Sequence, residues 1–156
     1  MTTPAWIIDA RPVERFAAGH IEGAVSIVLR EARKVGYERI AGALAEGVDA
    51  WRTAGRPLVR TELIDAAMAT GPFVDVRQQP EFAAGHIPGA RHAELGAIAS
   101  GAVAVPTGST VMCGHGERAM SAASMIERHQ PDARVRVLVG GPDEWAGAHN
   151  LSLERA

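Results

Sequence analysis

A single cysteine followed closely by an arginine is the part of this 156-residue sequence best suited to chemistry. Cys113 is the only cysteine in the chain. Arg118 follows it after four loop residues, which are Gly114, His115, Gly116 and Glu117. The β-branched residues before Cys113 predict a strand, and the alanine-rich run after Arg118 predicts a helix that ends near His129. The sequence thus predicts a cysteine at the end of a strand, followed by a tight loop and a helix.

Such a loop can hold an anion and activate a sulfur atom. Gly114 and Gly116 allow backbone angles that turn N–H groups inward, and the start of the following helix adds positive potential. Both effects favour the thiolate form of Cys113. Arg118 adds a fixed cation, which Glu117 partly opposes. We predict a nucleophilic sulfur in an anion-binding cradle, and the alternative is a buried cysteine that serves only as a small apolar side chain.

Composition and charge limit the class of protein. With 47% hydrophobic and 22% charged residues, the chain is typical of a soluble globular protein with one domain, or one domain plus a fragment. The net charge of −2 gives no reason to expect nucleic acid or an acidic membrane as a partner. One cysteine suits a reducing compartment, and no signal peptide or membrane-spanning run is visible, so we predict a cytoplasmic protein. The six histidines lack metal-ligand spacing, and we predict no metal and no cofactor.

The chain contains an internal repeat. The stretch from Asp9 to Ala24 recurs 66 residues later as Asp75 to Ala90, with Phe-Ala-Ala-Gly-His-Ile in both. The pattern that ends at Trp51 recurs 94 residues later, where it ends at Trp145. The second copy therefore holds 28 residues that the first copy lacks.

The residues missing from the first copy include the cysteine strand and its loop. At the larger spacing, residues 30–35 correspond to residues 124–129 of the helix behind the loop, and we predict a helix there. We therefore predict a truncated, non-catalytic copy over residues 1–57 and a complete copy over residues 58–156. A copy that lacks a strand leaves a sheet edge and apolar surface uncovered, and either the second copy or another chain would cover them. On this ground we hypothesise a homodimer.

The second copy predicts an α/β layer structure. Thr61 is expected to cap a short helix that carries Leu63, Ile64, Ala67 and Met68. Strands are predicted over residues 73–76 and 135–139, and a last helix is predicted to begin at Pro142. Alternating strands and helices indicate a mostly parallel central sheet, in which ligands bind at the carboxyl ends of the strands.

Four signatures, in order, resemble those of a rhodanese (sulfurtransferase) domain. They are Asp75-x-Arg77 with Phe82, Gly85-His-Ile-Pro-Gly-Ala90, Cys113-x4-Arg118 and Gly140-Gly-x3-Trp145. The resemblance covers about residues 58 to 150. It implies a rhodanese-like three-layer α/β fold, with a mostly parallel central sheet flanked by helices and preceded by a partial second copy. The tandem arrangement is similar to modules attached to metallo-β-lactamase-fold persulfide dioxygenases, although no metal-binding region of that kind is present.

The resemblance implies transfer of sulfane sulfur. Cys113 would attack the outer sulfur of thiosulfate or a persulfide and pass that sulfur to a thiol, to cyanide or to a protein acceptor. Backbone N–H groups from Gly114 to Arg118 would bind the thiolate and the persulfide, and Arg118 would orient an anionic donor. The charge of Glu117 favours a less charged persulfide over thiosulfate. Because Asp75, Arg77 and His86 recur in the copy without a loop, we predict that they support the scaffold.

Two other functions stay open at this point. Phosphatases and arsenate reductases of similar architecture resemble this chain, but their loop carries one more residue between cysteine and arginine to make room for a phosphate. A non-enzymatic sulfur carrier, sensor or interaction module would bind sulfur at Cys113 with negligible turnover. His115 either assists the donor or is simply an exposed loop residue.

Overall fold

The computed structural model describes residues 6–27, 44 and 46–156 of the chain, and every structural statement below concerns these residues. The helix predicted over residues 30–35 lies outside them. None of the helices in these ranges is long and apolar enough to cross a membrane.

The first copy contributes short elements. They are β1 (Ile8–Asp9), α1 (Val13–Ala18), β2 (Val25–Ser26) and α2 (Gly47–Thr53). Strands β1 and β2 pair in parallel as a small separate sheet.

The second copy forms the main sheet and its helices. Its elements are β3 (Glu62–Asp65), β4 (Phe73–Asp75), α3 (Gln79–Ala84), β5 (Arg91–His92), α4 (Leu95–Ala99), β6 (Thr110–Met112), α5 (Glu117–His129), β7 (Arg136–Val139) and α6 (Pro142–His149). The five strands lie in the order β3-β7-β6-β4-β5, and all neighbours are parallel. Val111 of the central strand pairs with Val74 on one side and Val137 on the other. The predicted α/β fold with a parallel central sheet is confirmed.

The helix predicted after Thr61 is wrong, because this segment is strand β3. Leu63 and Ile64 pair in parallel with Val137 and Leu138, which extends the sheet by one edge strand. The apolar pattern there spans only about two helical turns, and a helix of that length is marginal without tertiary support. The Thr61 hydroxyl is buried without a hydrogen-bond partner, so it caps nothing.

Helix α5 lies between the main sheet and the first copy. Its residues 119–126 are all buried, and most of them are alanine or serine, which lets both neighbours approach closely. The backbone N–H of Ser26 donates to the Ser124 hydroxyl over 3.1 Å, and Arg128 donates to the carbonyl of Gly23 over 2.8 Å. Apolar residues of both copies share one hydrophobic cluster. The described part of the first copy therefore packs on α5 within the same chain.

The two copies repeat the same corner after their first helix. His20 Nδ1 donates to the carbonyl of Phe16 and its ring stacks on the Phe16 ring, with 3.8 Å between ring centroids. Burial lowers the pKa of His20, so this ring stays neutral. An antiparallel bridge then joins His20 to Val59, and the corresponding bridge joins His86 to Glu154. The contacts of the first copy thus include Val59.

Candidate active site

Cys113 lies directly after the central strand of the main sheet. Strand β6 ends at Met112, and its neighbours β4 and β7 run parallel to it, so Cys113 is at the carboxyl edge where ligands of such sheets bind. The residue is 1% exposed. Its thiol is free.

The loop after Cys113 turns a backbone N–H group toward the sulfur. The N–H of Gly116 donates to Cys113 Sγ over 3.1 Å. Gly116 has a φ of 100°, which an L side chain rarely adopts, and it is the residue that precedes the first turn of α5. The sulfur therefore sits at the positive end of a 13-residue helix, where a thiolate or a persulfide anion is stabilised.

Arg118 is held by an acidic residue that the sequence analysis did not single out. Its Nη1 and Nη2 atoms donate to the two carboxylate oxygens of Glu81 over 2.7 and 2.9 Å. These bonds lower the pKa of Glu81 to about 2, although burial opposes the shift. The pKa of Arg118 is raised, first by the same hydrogen bonds and to a smaller degree by Cys113 nearby. Arg118 therefore stands beside the cradle, but its charge is already compensated.

A difference between the two copies of the internal repeat indicates a special role for Glu81. Position 81 of the second copy corresponds to Arg15 of the first, whereas the neighbouring phenylalanine is the same in both. A carboxylate that occurs only in the copy with Arg118 fits a partner of that arginine better than a scaffold residue. Reading the repeat for differences as well as for identities would have found it.

Two of the residues predicted in the loop have outward-facing side chains. His115 and Glu117 are exposed, and Glu117 is the first residue of α5 rather than a loop residue. They line a cleft of about 160 Å³ whose other wall includes Pro12, Val13 and Glu14 at the start of α1. The start of α1 in the first copy thus borders the loop that follows Cys113.

Of the predicted scaffold residues, Asp75 and Arg77 form an ion pair, and His86 binds a backbone carbonyl. Arg77 donates from Nη2 to Asp75 over 2.6 Å and to the carbonyl of Gly85 over 2.7 Å. His86 Nδ1 donates to the carbonyl of Phe82, 3.0 Å away. Asp9 and Arg11 make the same ion pair in the first copy.

Glu81 also lines a second, larger cleft. It measures about 580 Å³ and is lined by side chains of both charges, which are Arg77, Glu81, Asp143 and Arg155, together with smaller residues of α3, α6 and the C-terminal segment. In the described ranges, no group of three histidine, cysteine or acidic side chains could hold a metal ion.

Comparison with known proteins identifies the family. The model of the rhodanese-like domain matches residues 1–45 and 60–148. The chain belongs to the rhodanese-like domain family. No curated protein matches the chain.

Solved structures share the fold at low identity. A probable thiosulfate sulfurtransferase is 19% identical with a TM-score of 0.50, and the match covers 99% of this chain and 100% of that one. A rhodanese-related protein from Thermoplasma volcanium is 19% identical with a TM-score of 0.50, and the match covers 60% of this chain and 97% of that one. A protein of unknown function from Rhodopseudomonas palustris, described as a possible tyrosine phosphatase, is 18% identical with a TM-score of 0.50, covering 75% and 98%. At these identities the likeness concerns the fold alone.

Proposed function

We propose that this protein is a sulfurtransferase that carries sulfane sulfur on Cys113. The observation that supports this most strongly is the hydrogen bond from the Gly116 N–H to Cys113 Sγ at the start of α5. This geometry stabilises a negative charge on the sulfur before and after it receives a second sulfur atom. The family and the probable thiosulfate sulfurtransferase with the same fold are consistent with that chemistry.

The reaction would proceed in two displacements. The Cys113 thiolate attacks the outer sulfur of the donor, and the bond between the two donor sulfurs breaks. Sulfite leaves from thiosulfate, and a thiolate leaves from an alkyl persulfide. Cyanide, a thiol or a protein thiol then attacks the outer sulfur of the Cys113 persulfide, and the Cys113 thiolate is restored without any net redox change.

The loop length supports sulfur over phosphate as the bound group. Four residues separate Cys113 from Arg118, and Glu81 occupies both donating nitrogens of Arg118. A phosphate dianion would need a wider loop and a free guanidinium. Phosphatase activity is therefore the weaker proposal, although a possible phosphatase shares the fold.

A binding module is the second candidate, because Cys113 is only 1% exposed. In that case the cysteine would hold sulfur for a partner protein and turn over slowly. Steady-state assays separate the two functions: thiosulfate with cyanide yields thiocyanate and sulfite, and glutathione persulfide with an acceptor thiol yields glutathione and the acceptor persulfide, from which a second thiol releases hydrogen sulfide as a disulfide forms. Turnover with either pair supports the enzyme. Loading of Cys113 without turnover supports the module.

We also propose that residues 58–156 form the catalytic copy and that residues 1–57 are a non-catalytic copy covering α5. A homodimer stays a hypothesis, since the described part of the first copy packs on α5 of the same chain. Light scattering over a wide concentration range tests it, and a monomer throughout would exclude it.

A further inference from the structure

The ion pair between Glu81 and Arg118 lies at the surface of the site. The side chains are 39% and 40% exposed, and both carboxylate oxygens of Glu81 accept from the guanidinium. An exposed pair of this kind is weak enough to open when a competing anion arrives. Even so, a donor that binds Arg118 must first displace the Glu81 carboxylate from the guanidinium. The donor then lies beside the negative charge of that displaced carboxylate.

The scaffold does not require the pair. The first copy builds the same corner with Asp9, Arg11 and His20, yet it carries Arg15 where the second copy carries Glu81. Glu81 also accepts the N–H of Gln78 at the start of α3, a role that an amide oxygen can fill. The negative charge of Glu81 therefore serves Arg118 and not the fold.

The two classes of sulfur donor differ in where their charge lies. Thiosulfate places a sulfonate directly on the transferred sulfur, so its second charge must be compensated inside the site. An alkyl persulfide has an uncharged sulfur bound to carbon at that position, and its one local charge enters the N–H cradle near Gly116. Because Glu81 already compensates the charge of Arg118, the site binds thiosulfate weakly. Binding of the persulfide does not depend on that charge.

The larger cleft, which Glu81 lines, has room for the body of a larger donor. Its volume of about 580 Å³ is within the range of small-molecule sites. Arg77, Arg155, Glu81 and Asp143 all line it, so its walls carry both charges. Such walls suit a molecule that has both amino and carboxylate groups.

We propose that Glu81 determines donor selectivity: by holding Arg118, it disfavours the thiosulfate dianion and favours a small persulfide derived from an amino acid or peptide thiol. This inference rests on the proposed function. Glu81 acts here through Arg118, as a positioning and selectivity residue.

The test compares Cys113 loading by two donors in the full-length protein. Rates of sulfur gain are followed by intact mass over a range of thiosulfate or glutathione persulfide concentrations, in wild type, Glu81→Gln and Glu81→Asp. We expect Glu81→Gln to raise loading by thiosulfate about three- to tenfold, through a lower half-saturating concentration. Loading by the persulfide should change less than about twofold. Glu81→Asp keeps the negative charge and should retain the wild-type ratio of the two loading rates.

Glu94→Gln is the matched control. Glu94 also accepts a backbone N–H at the start of α3, from Gln79, and forms no ion pair with Arg118. It should leave the ratio of the two loading rates unchanged.

The outcomes separate this inference from the proposed function. An unchanged thiosulfate rate in Glu81→Gln, or a parallel change for both donors, overturns the selectivity role while the sulfurtransferase stands. A wild type that gains sulfur from neither donor overturns the proposed function, and the inference with it.

Discussion

Gly141 lies so close to the carbonyl oxygen of Gly114 that no side chain fits between them. A Cβ atom at position 141 would lie 2.7 Å from that oxygen and 3.3 Å from the carbonyl oxygen of Cys113. The junction of β7 and α6 thus supports the back of the reactive loop. The position of the sulfur depends on a glycine that is 28 residues away in the chain.

Gly141→Ala should therefore displace the loop. We expect a loss of stability of about 1–3 kcal/mol and at least a tenfold slower gain of sulfur at Cys113, because small displacements of a reacting group are costly. Gly147→Ala is the control, since the site around Gly147 in α6 is open and alanine favours a helix. Urea unfolding and intact-mass kinetics measure both effects. If Gly141→Ala and Gly147→Ala had the same stability and the same rate of sulfur gain, the role assigned to Gly141 would be contradicted.

The duplicated ion pair allows a matched test of the scaffold. Arg77 and Asp75 are 10% and 0% exposed, whereas Arg11 in the first copy is 32% exposed. Lysine cannot form the two-pronged bond with aspartate and also reach the neighbouring carbonyl. Arg77→Lys should cost about 2–4 kcal/mol of unfolding free energy, and Arg11→Lys less than half of that. Urea denaturation would refute this if Arg11→Lys proved the more damaging change.

A half-buried carboxyl on α5 makes stability depend on pH. Burial raises the pKa of Glu127 to about 7, and the charge of Arg134 opposes the shift only in part. The folded protein binds this proton more tightly than the unfolded chain, so stability falls as pH rises from about 4.5 through 7.

Glu127→Gln removes that ionisation. We expect the variant to be about 1–3 kcal/mol more stable than wild type at pH 8 and equal to it at pH 4. Thermal unfolding at both pH values measures the difference, with the exposed Glu62→Gln as the control. A stability gain that does not change with pH would contradict the assignment.

Local patterns predicted most of the fold. The strand before Cys113, the helix after Arg118 and the last helix at Pro142 are confirmed because each has strong local signals. The prediction of a helix after Thr61 is wrong, because this segment pairs with β7, whose residues are more than 70 positions away.

Long-range pairing also explains what was missed at the site. The cysteine loop has a recognisable spacing, but the contact between Glu81 and Arg118 joins residues 37 positions apart. The close approach of Gly141 to Gly114 arises only when β6 and β7 pair in the sheet. The cleft shared with Pro12 arises only when the first copy packs on the second. Long-range contacts of this kind leave no periodic pattern in the local sequence.

The central claim is that Cys113 carries sulfane sulfur, and intact mass after brief treatment with thiosulfate or glutathione persulfide tests it most directly. We expect a gain of about 32 Da, one sulfur atom, which cyanide removes and which Cys113→Ser does not acquire. A wild-type mass unchanged by both donors, or a gain that persists in Cys113→Ser, would contradict it.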